Sequence, residues 1–168
     1  MTLGCAEATE GPESAGWLGS SKVTLFGGPV AWPELRYFAS HVPKSSYQAR
    51  RGLVQGVKAL IAISLGHVVR VVIPTAERSR LSMDYTFIPT RAILDGYGYF
   101  RVSDGASQVT FHSCSPDSHH DRQTAFAGAF LVAGPQCARV DIYTSTSSQP
   151  LLRQIPFGVP QRSCPTTG

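Results

Sequence analysis

The side chains best suited to chemistry in this 168-residue chain are concentrated in one segment, HSCSPDSHHDRQTAF, at residues 112–126. Imidazole, thiolate and carboxylate groups are the ligands that proteins offer to zinc and related metals, and they also act as general acids and bases. A metal-dependent hydrolytic enzyme is therefore one hypothesis for the function. The competent residues of the segment are His112, Cys114, Asp117, His119, His120 and Asp121.

The spacing of these residues does not compel a metal site. His119 and His120 are adjacent, so their rings point in opposite directions on an extended chain. No His-x-His, His-x₃-His or His-Glu-x-x-His pattern occurs, and no two cysteines have the short spacing of a structural zinc site. Residues 115–117, Ser-Pro-Asp, favour a turn, and the polar residues after them are typical of a surface loop. We predict no metal, no cofactor and no catalytic residue, and we assign His112, His119, His120 and Asp121 as candidate binding residues.

Other active-site patterns are equally weak. The chain has no Gly-x-Ser-x-Gly nucleophile motif, and nothing in the spacing of its carboxylates selects a glycosidase pair. Tyr97 and Tyr99 follow closely on glycines and could stack against sugars, although tyrosines near strand ends more often cover a core. A carbohydrate-binding module is therefore another hypothesis.

Short apolar runs with a two-residue period dominate the chain after residue 56. Eight such strands, joined by glycine- and proline-rich turns, predict an all-β fold of the antiparallel β-sandwich type, Ig-like or jelly-roll-like, with flexible termini. We expect a flexible leader at 1–21, a single domain at 22–158 and a flexible tail at 159–168. The predicted strands are 57–64, 67–74, 81–87, 99–105, 108–114, 125–134, 137–144 and 151–158.

Two further local predictions are less regular. Leu65 and Gly66 could form a tight hairpin between the first two strands. Residues 45–60 could form a helix capped by serine, although Gly52 and Gly56 oppose it.

The alternation also separates polar from apolar side chains on individual strands. Val109 and Phe111 would face the core, as would Val140 and Ile142. The residues between them form a predicted polar face flanked by the 115–124 loop, and we take this face as the candidate contact surface. It carries Thr110, His112, Arg139, Asp141 and Tyr143.

Four cysteines, at positions 5, 114, 137 and 164, allow three pairings. Cys114 and Cys137 lie at strand ends inside the predicted domain, and the alternation places both away from the core, which favours a Cys114–Cys137 disulfide. The alternative is a pair of buried free thiols in a cytosolic protein. Low charge, many turns and paired cysteines favour the disulfide and an oxidising compartment.

Composition limits the class of partner. The net charge is +4, but the basic residues are scattered, with Arg50 and Arg51 as the densest pair, so no nucleic-acid partner is expected. The most apolar stretch, 59–74, is interrupted by Gly66, His67 and Arg70 and is too short to span a bilayer. The first residues contain no secretory signal as written, so export would require a processed chain.

Four segments resemble small exported β-sandwich domains of bacterial cell-envelope proteins: VVIPTAER (71–78), FRVSDG (100–105), VTFHSC (109–114) and FAGAFLVAGPQCARVDIY (126–143). In these domains a strand ending in Cys precedes a glycine-rich apolar strand, Gly-Pro-x-Cys and another strand. The resemblance covers roughly residues 57–157. It implies an extracytoplasmic location and the Cys114–Cys137 pair, and it carries no catalytic residue. We therefore expect a non-catalytic structural or binding module, with an envelope protein or glycan as its partner.

Overall fold

A computed structural model describes residues 1–9, 25–33, 35–41, 54–86, 99–115 and 123–165. These residues are mainly β, which confirms the predicted all-β class, and they contain one short helix, α1 (Leu35–His41). Short 3-10 turns occupy Cys5–Glu7, Thr75–Glu77, Val102–Asp104 and Gln161–Ser163. The strands are β1 (Thr2–Leu3), β2 (Leu25–Gly27), β3 (Val30–Trp32), β4 (Val54–Lys58), β5 (Ile61–Ser64), β6 (Val68–Val72), β7 (Leu81–Asp84), β8 (Tyr99–Phe100), β9 (Gln108–His112), β10 (Gln123–Phe126), β11 (Ala129–Val132), β12 (Gln136–Thr144) and β13 (Leu151–Phe157).

The largest sheet has five strands in the order β1-β9-β6-β12-β13. Its central strands pair antiparallel, whereas β1 pairs parallel with β9 at one edge. On β6, β9 and β12, buried apolar residues alternate with residues that point away from the core, most of them polar, as expected for a sheet with one face on a core. This sheet therefore has an inner and an outer face.

The other two sheets have four strands each, in the orders β10-β5-β3-β2 and β7-β11-β4-β8. They are linked because β4 continues into β5 and β10 continues into β11, and the two runs pair with each other in both sheets. At the change of sheet, the Ala59 N–H donates to the Gly128 carbonyl at 2.8 Å. A Cβ atom at position 128 would overlap the ring of Tyr85, so glycine permits this close approach.

One core joins all three sheets. Phe111 of β9 contacts the ring of Tyr85 at a centroid distance of 5.0 Å and that of Phe126 of β10 at 5.2 Å. Phe130 of β11 packs against Phe157 of β13 at 5.5 Å. Because these ring pairs connect strands of different sheets, the five-stranded sheet shares its apolar interior with the two smaller sheets.

The first residues are part of this structure, contrary to the predicted flexible leader. β1 extends the five-stranded sheet, and Leu3 is buried in the core. The Thr9 N–H then donates to the Ala125 carbonyl of β10 at 2.8 Å. A Cys5–Cys114 disulfide fixes the segment to the end of β9. Residues 10–21 lie outside the described residues.

The predicted Cys114–Cys137 pairing is wrong, because the disulfides are Cys5–Cys114 and Cys137–Cys164. Strands β9 and β12 run in the same direction, since each pairs antiparallel with β6. Cys114 follows the end of β9, whereas Cys137 lies at the start of β12. The register separates them by about ten residue positions along the sheet, or roughly 30 Å at the usual rise per residue. A disulfide requires Cα atoms within about 7 Å.

The strand alternation also fails at Cys114 itself. β9 ends at His112, and Cys114 is buried rather than outward. Its N–H donates to Thr124 Oγ1 at 2.7 Å, and its carbonyl accepts from the Gly66 N–H at 3.0 Å. These bonds turn the chain inward, toward Cys5. At the other end of the sheet, Cys164 holds part of the predicted flexible tail against β12.

Five predicted elements differ from the observed ones. The predicted strands 57–64 and 125–134 each change sheet part-way, so each is observed as two strands. β5 and β6 belong to different sheets, so residues 65–66 form a crossover rather than a hairpin. Residues 54–58 of the predicted helix form β4, because pairing with β11 outweighs local preference. The predicted strand at 99–105 stops at Phe100, where the Asp104 carboxylate accepts the Arg101 N–H at 2.7 Å and stabilises a 3-10 turn.

Candidate functional site

The outer face of the five-stranded sheet is the candidate functional site. It is built by the residues that alternate with the buried ones on each strand, so the same pattern that makes the core also makes this surface. Its members are Thr2 of β1, Gln108, Thr110 and His112 of β9, Val68, Arg70 and Val72 of β6, Arg139, Asp141 and Tyr143 of β12, and Leu152 and Gln154 of β13.

Four of these residues form one row across the sheet, which we call the transverse row. Thr2 pairs with Thr110, Thr110 with Arg70, and Arg70 with Tyr143. The row thus crosses β1, β9, β6 and β12 at a single level and presents two hydroxyls, a guanidinium and a phenol. Thr2 and Arg70 are exposed, and Thr110 and Tyr143 are half-buried.

Arg70 lies over the ring of Tyr143, with its guanidinium carbon 4.5 Å from the ring centroid. This cation–π contact restrains the exposed guanidinium. No carboxylate among the described residues forms a salt bridge with Arg70. Its charge and its fork of N–H donors are therefore available on the outer face.

Arg139 differs because its charge is compensated. Its Nε donates to Asp141 Oδ1 at 2.7 Å and its Nη2 to Asp141 Oδ2 at 3.3 Å, a two-point contact along β12. This hydrogen bond raises the pKa of Arg139, and the charge of Glu77 adds to the effect. Asp141 is buried beneath the guanidinium. Opposite Arg139, the buried Gln154 Oε1 accepts no hydrogen bond from the described residues.

The structure brings together most of the predicted contact surface. Thr110, His112, Arg139, Asp141 and Tyr143 all lie on the outer face, as the alternation predicts. His119, His120, Asp121 and Tyr97 lie outside the described residues, as does most of the 115–124 loop. The metal site and the Tyr97/Tyr99 sugar platform therefore stay predictions.

Sequence reasoning misses two members of the transverse row. Arg70 counts there only as an interruption of an apolar stretch, although its place between Val69 and Val71 marks it as outward on a half-buried strand. Thr2 falls within the predicted leader, and a two-residue strand gives no periodic signal.

Among the described residues, the one tyrosine with a strongly shifted pKa lies in the core and not on the outer face. Tyr85 is buried in the core, and its hydroxyl accepts a hydrogen bond from Trp32 Nε1 at 3.3 Å. Burial raises the pKa of Tyr85, because ionisation there would leave a charge without water. Its surroundings are apolar rings, so we assign it a structural role.

Neither a metal cluster nor a membrane-spanning helix occurs in the described part of the chain. Those residues contain no group of three or more His, Cys, Asp or Glu side chains arranged to hold a metal ion. They also contain no helix that is long and apolar enough to cross a membrane.

In comparisons with known proteins, no family model matches the chain, and no curated protein matches it significantly.

Proposed function

We propose that this chain is a non-catalytic, extracytoplasmic binding module of a bacterial envelope protein, and that its outer face binds an anionic component of the envelope. The observation that carries this proposal is Arg70, an exposed cation held on a tyrosine ring without a compensating carboxylate among the described residues. A guanidinium fixed in this way pairs with an external carboxylate or phosphate at little conformational cost.

Charge complementarity supports the choice of partner. The chain has 15 Lys and Arg against 11 Asp and Glu, and on the outer face the single carboxylate, Asp141, already pairs with Arg139. An anionic partner would therefore meet an uncompensated positive site at Arg70. A cationic partner would find no free carboxylate among the described outer-face residues.

A β-sandwich architecture is part of this proposal. The support is the single core to which the inner face of the five-stranded sheet and the two smaller sheets all contribute. Such a scaffold leaves the opposite face of the large sheet open and holds its side chains on rigid strands, which suits binding.

The location of the protein is supported by its cysteines. All four cysteines form two disulfides, which are typical of an oxidising, extracytoplasmic environment. Thiol titration of the denatured protein, purified without reductant from an oxidising compartment, should find no free thiols before reduction and four after it. Four free thiols before reduction would contradict the proposed location.

Cosedimentation with isolated bacterial cell-wall fragments tests the binding role. We expect the wild-type protein to sediment with the fragments and the Arg70→Glu variant to stay in the supernatant. The matched control is Arg101→Glu, which makes the same charge change at an exposed arginine that directly follows β8, a strand of a different sheet. Absence of wild-type binding, or equal loss in both variants, would count against the proposal.

A further inference from the structure

The spacing of residues along the transverse row is similar to the length of the repeating unit of an extended glycan. Neighbouring strands lie about 4.8 Å apart, so the backbone positions of Thr2, Thr110, Arg70 and Tyr143 succeed one another at that interval over roughly 14 Å. One pyranose unit of an extended glycan has nearly the same length. A glycan lying across the strands would therefore cross about one strand of the row per sugar.

The chemistry of the row matches a sugar chain that carries few charges. Thr2 and Thr110 each provide a hydroxyl that can donate and accept, which suits sugar hydroxyls. Arg70 provides the single uncompensated cation. Val68 and Val72 flank Arg70 on the same face of β6, and Val68 is 37% exposed, so apolar surface lies beside the row for the C–H faces of the sugar rings.

We propose that the transverse row binds an acidic polysaccharide, in which Arg70 pairs with the carboxylate of a uronic acid and the two threonines hydrogen-bond to neighbouring sugars. This inference rests on the proposed function and names the class of its ligand. Polyphosphate and acidic peptides carry a charge on every unit and would be matched by several cations, whereas the row offers one cation between hydroxyls.

Isothermal titration calorimetry with the disulfide-bonded protein tests the ligand class. The probes are hexasaccharides of hyaluronan and of unsulfated chondroitin, both of which have a carboxylate on alternate sugars, with dextran as the neutral glycan. Poly-glutamate and polyphosphate at the same ionic strength represent the competing polymers. We expect binding of at least one acidic glycan, none of dextran, and at least tenfold weaker binding of poly-glutamate and polyphosphate.

Variants then locate the site. Arg70→Ala should weaken acidic-glycan binding at least tenfold, and Arg70→Lys should weaken it less, because lysine keeps the charge but loses the planar fork. Thr110→Val keeps the shape of the side chain and should weaken binding severalfold at unchanged thermal stability. Arg101→Ala removes an equal charge at an exposed residue that follows β8 in a different sheet, and this variant should bind as the wild type does.

Three results would overturn the inference: no binding of either acidic glycan, unchanged affinity in Arg70→Ala, or poly-glutamate or polyphosphate binding as tight as that of the glycans. Cell-wall binding that depends on Arg70, without binding of either glycan, would leave the proposed function intact and reject only the ligand class. Absence of both cell-wall binding and glycan binding would reject the proposed function and the ligand class together.

Discussion

The inner and outer faces of the five-stranded sheet are formed by the same strands, but their side chains differ in burial and in polarity. On β6, Val69 and Val71 are fully buried, while Arg70 between them is exposed. On β12, Val140 and Ile142 face the core, while Asp141 forms an ion pair on the other side. Neighbouring residues in the sequence therefore contribute to different properties, one to the free energy of folding and the next to recognition.

This separation predicts how substitutions should behave. Inner-face changes should lower the free energy of unfolding because they remove packed surface, and outer-face changes should alter binding with little effect on stability. A segment that contributes to both faces should affect both properties. β1 is such a segment, with Leu3 in the core and Thr2 in the transverse row.

The largest effect is expected from the disulfide that anchors β1. Replacing both Cys5 and Cys114 by alanine removes a cross-link between residues 109 positions apart, which the chain-entropy model values at about 4.8 kcal/mol. The corresponding Cys137/Cys164 variant, with a separation of 27, should lose less, about 3.6 kcal/mol. Guanidinium denaturation measures both.

Only the first of these variants should also weaken acidic-glycan binding, because it releases Thr2 from the row. If the Cys137/Cys164 variant lost as much stability and as much binding as the Cys5/Cys114 variant, β1 would have no special role in joining the core to the outer face.

The next largest loss in the free energy of unfolding is expected from a core substitution on β9. Phe111→Ala removes ring contacts with Tyr85 and Phe126 at the junction of the sheets, and we expect a loss of about 3 to 5 kcal/mol in urea denaturation. Thr110→Ala, one residue away on the outer face, should change stability by less than about 0.5 kcal/mol. Equal losses would show that the outer face is not an independent surface.

The amino-acid sequence predicts most of the residues of these two faces but not the arrangement of the strands. Burial of alternate residues is a local property, so the two-residue period alone assigns Val109 and Phe111 to the core and Arg139 and Tyr143 to the surface. The partners of a strand depend on contacts far along the chain. The assignment of β5 and β6 to one hairpin fails for that reason.

The cysteine pairing shows the same limit. The predicted bridge treats Cys114 and Cys137 as neighbours because both lie at strand ends inside the predicted domain. The order β9-β6-β12 places them at opposite ends of the sheet, and each pairs with a terminal segment that carries little periodic signal. Strand direction, which the sequence does not encode locally, decides between the three pairings.

A smaller effect should distinguish the buried phenol of Tyr85 from exposed tyrosines. Tyr85→Phe leaves Trp32 Nε1 without its acceptor and should cost about 1 to 3 kcal/mol near pH 7. Burial raises the pKa of Tyr85 in the folded state, so its contribution is complete below the unfolded pKa of about 10 and is lost as pH rises above it. Between pH 9 and 11 the wild type should therefore lose about 1.4 kcal/mol that the variant retains. Urea denaturation at each pH measures both free energies of unfolding, and an equal decline in the wild type and in Tyr85→Phe would contradict this prediction.

The smallest effect is expected where the two outer-face arginines differ. Arg139→Ala breaks the ion pair with Asp141, but the Arg139 side chain is 43% exposed, so we expect a loss of no more than about 1 kcal/mol, reduced in 1 M NaCl by screening. Arg70→Ala, which breaks no salt bridge among the described residues, should lose less stability and show no such salt dependence. Because the charge of Arg139 is already compensated, Arg139→Ala should also weaken acidic-glycan binding less than Arg70→Ala does. A larger loss of stability in Arg70→Ala together with a larger loss of glycan binding in Arg139→Ala would contradict this prediction. It would mean that the ion pair with Asp141 does not determine which of the two arginines binds the ligand.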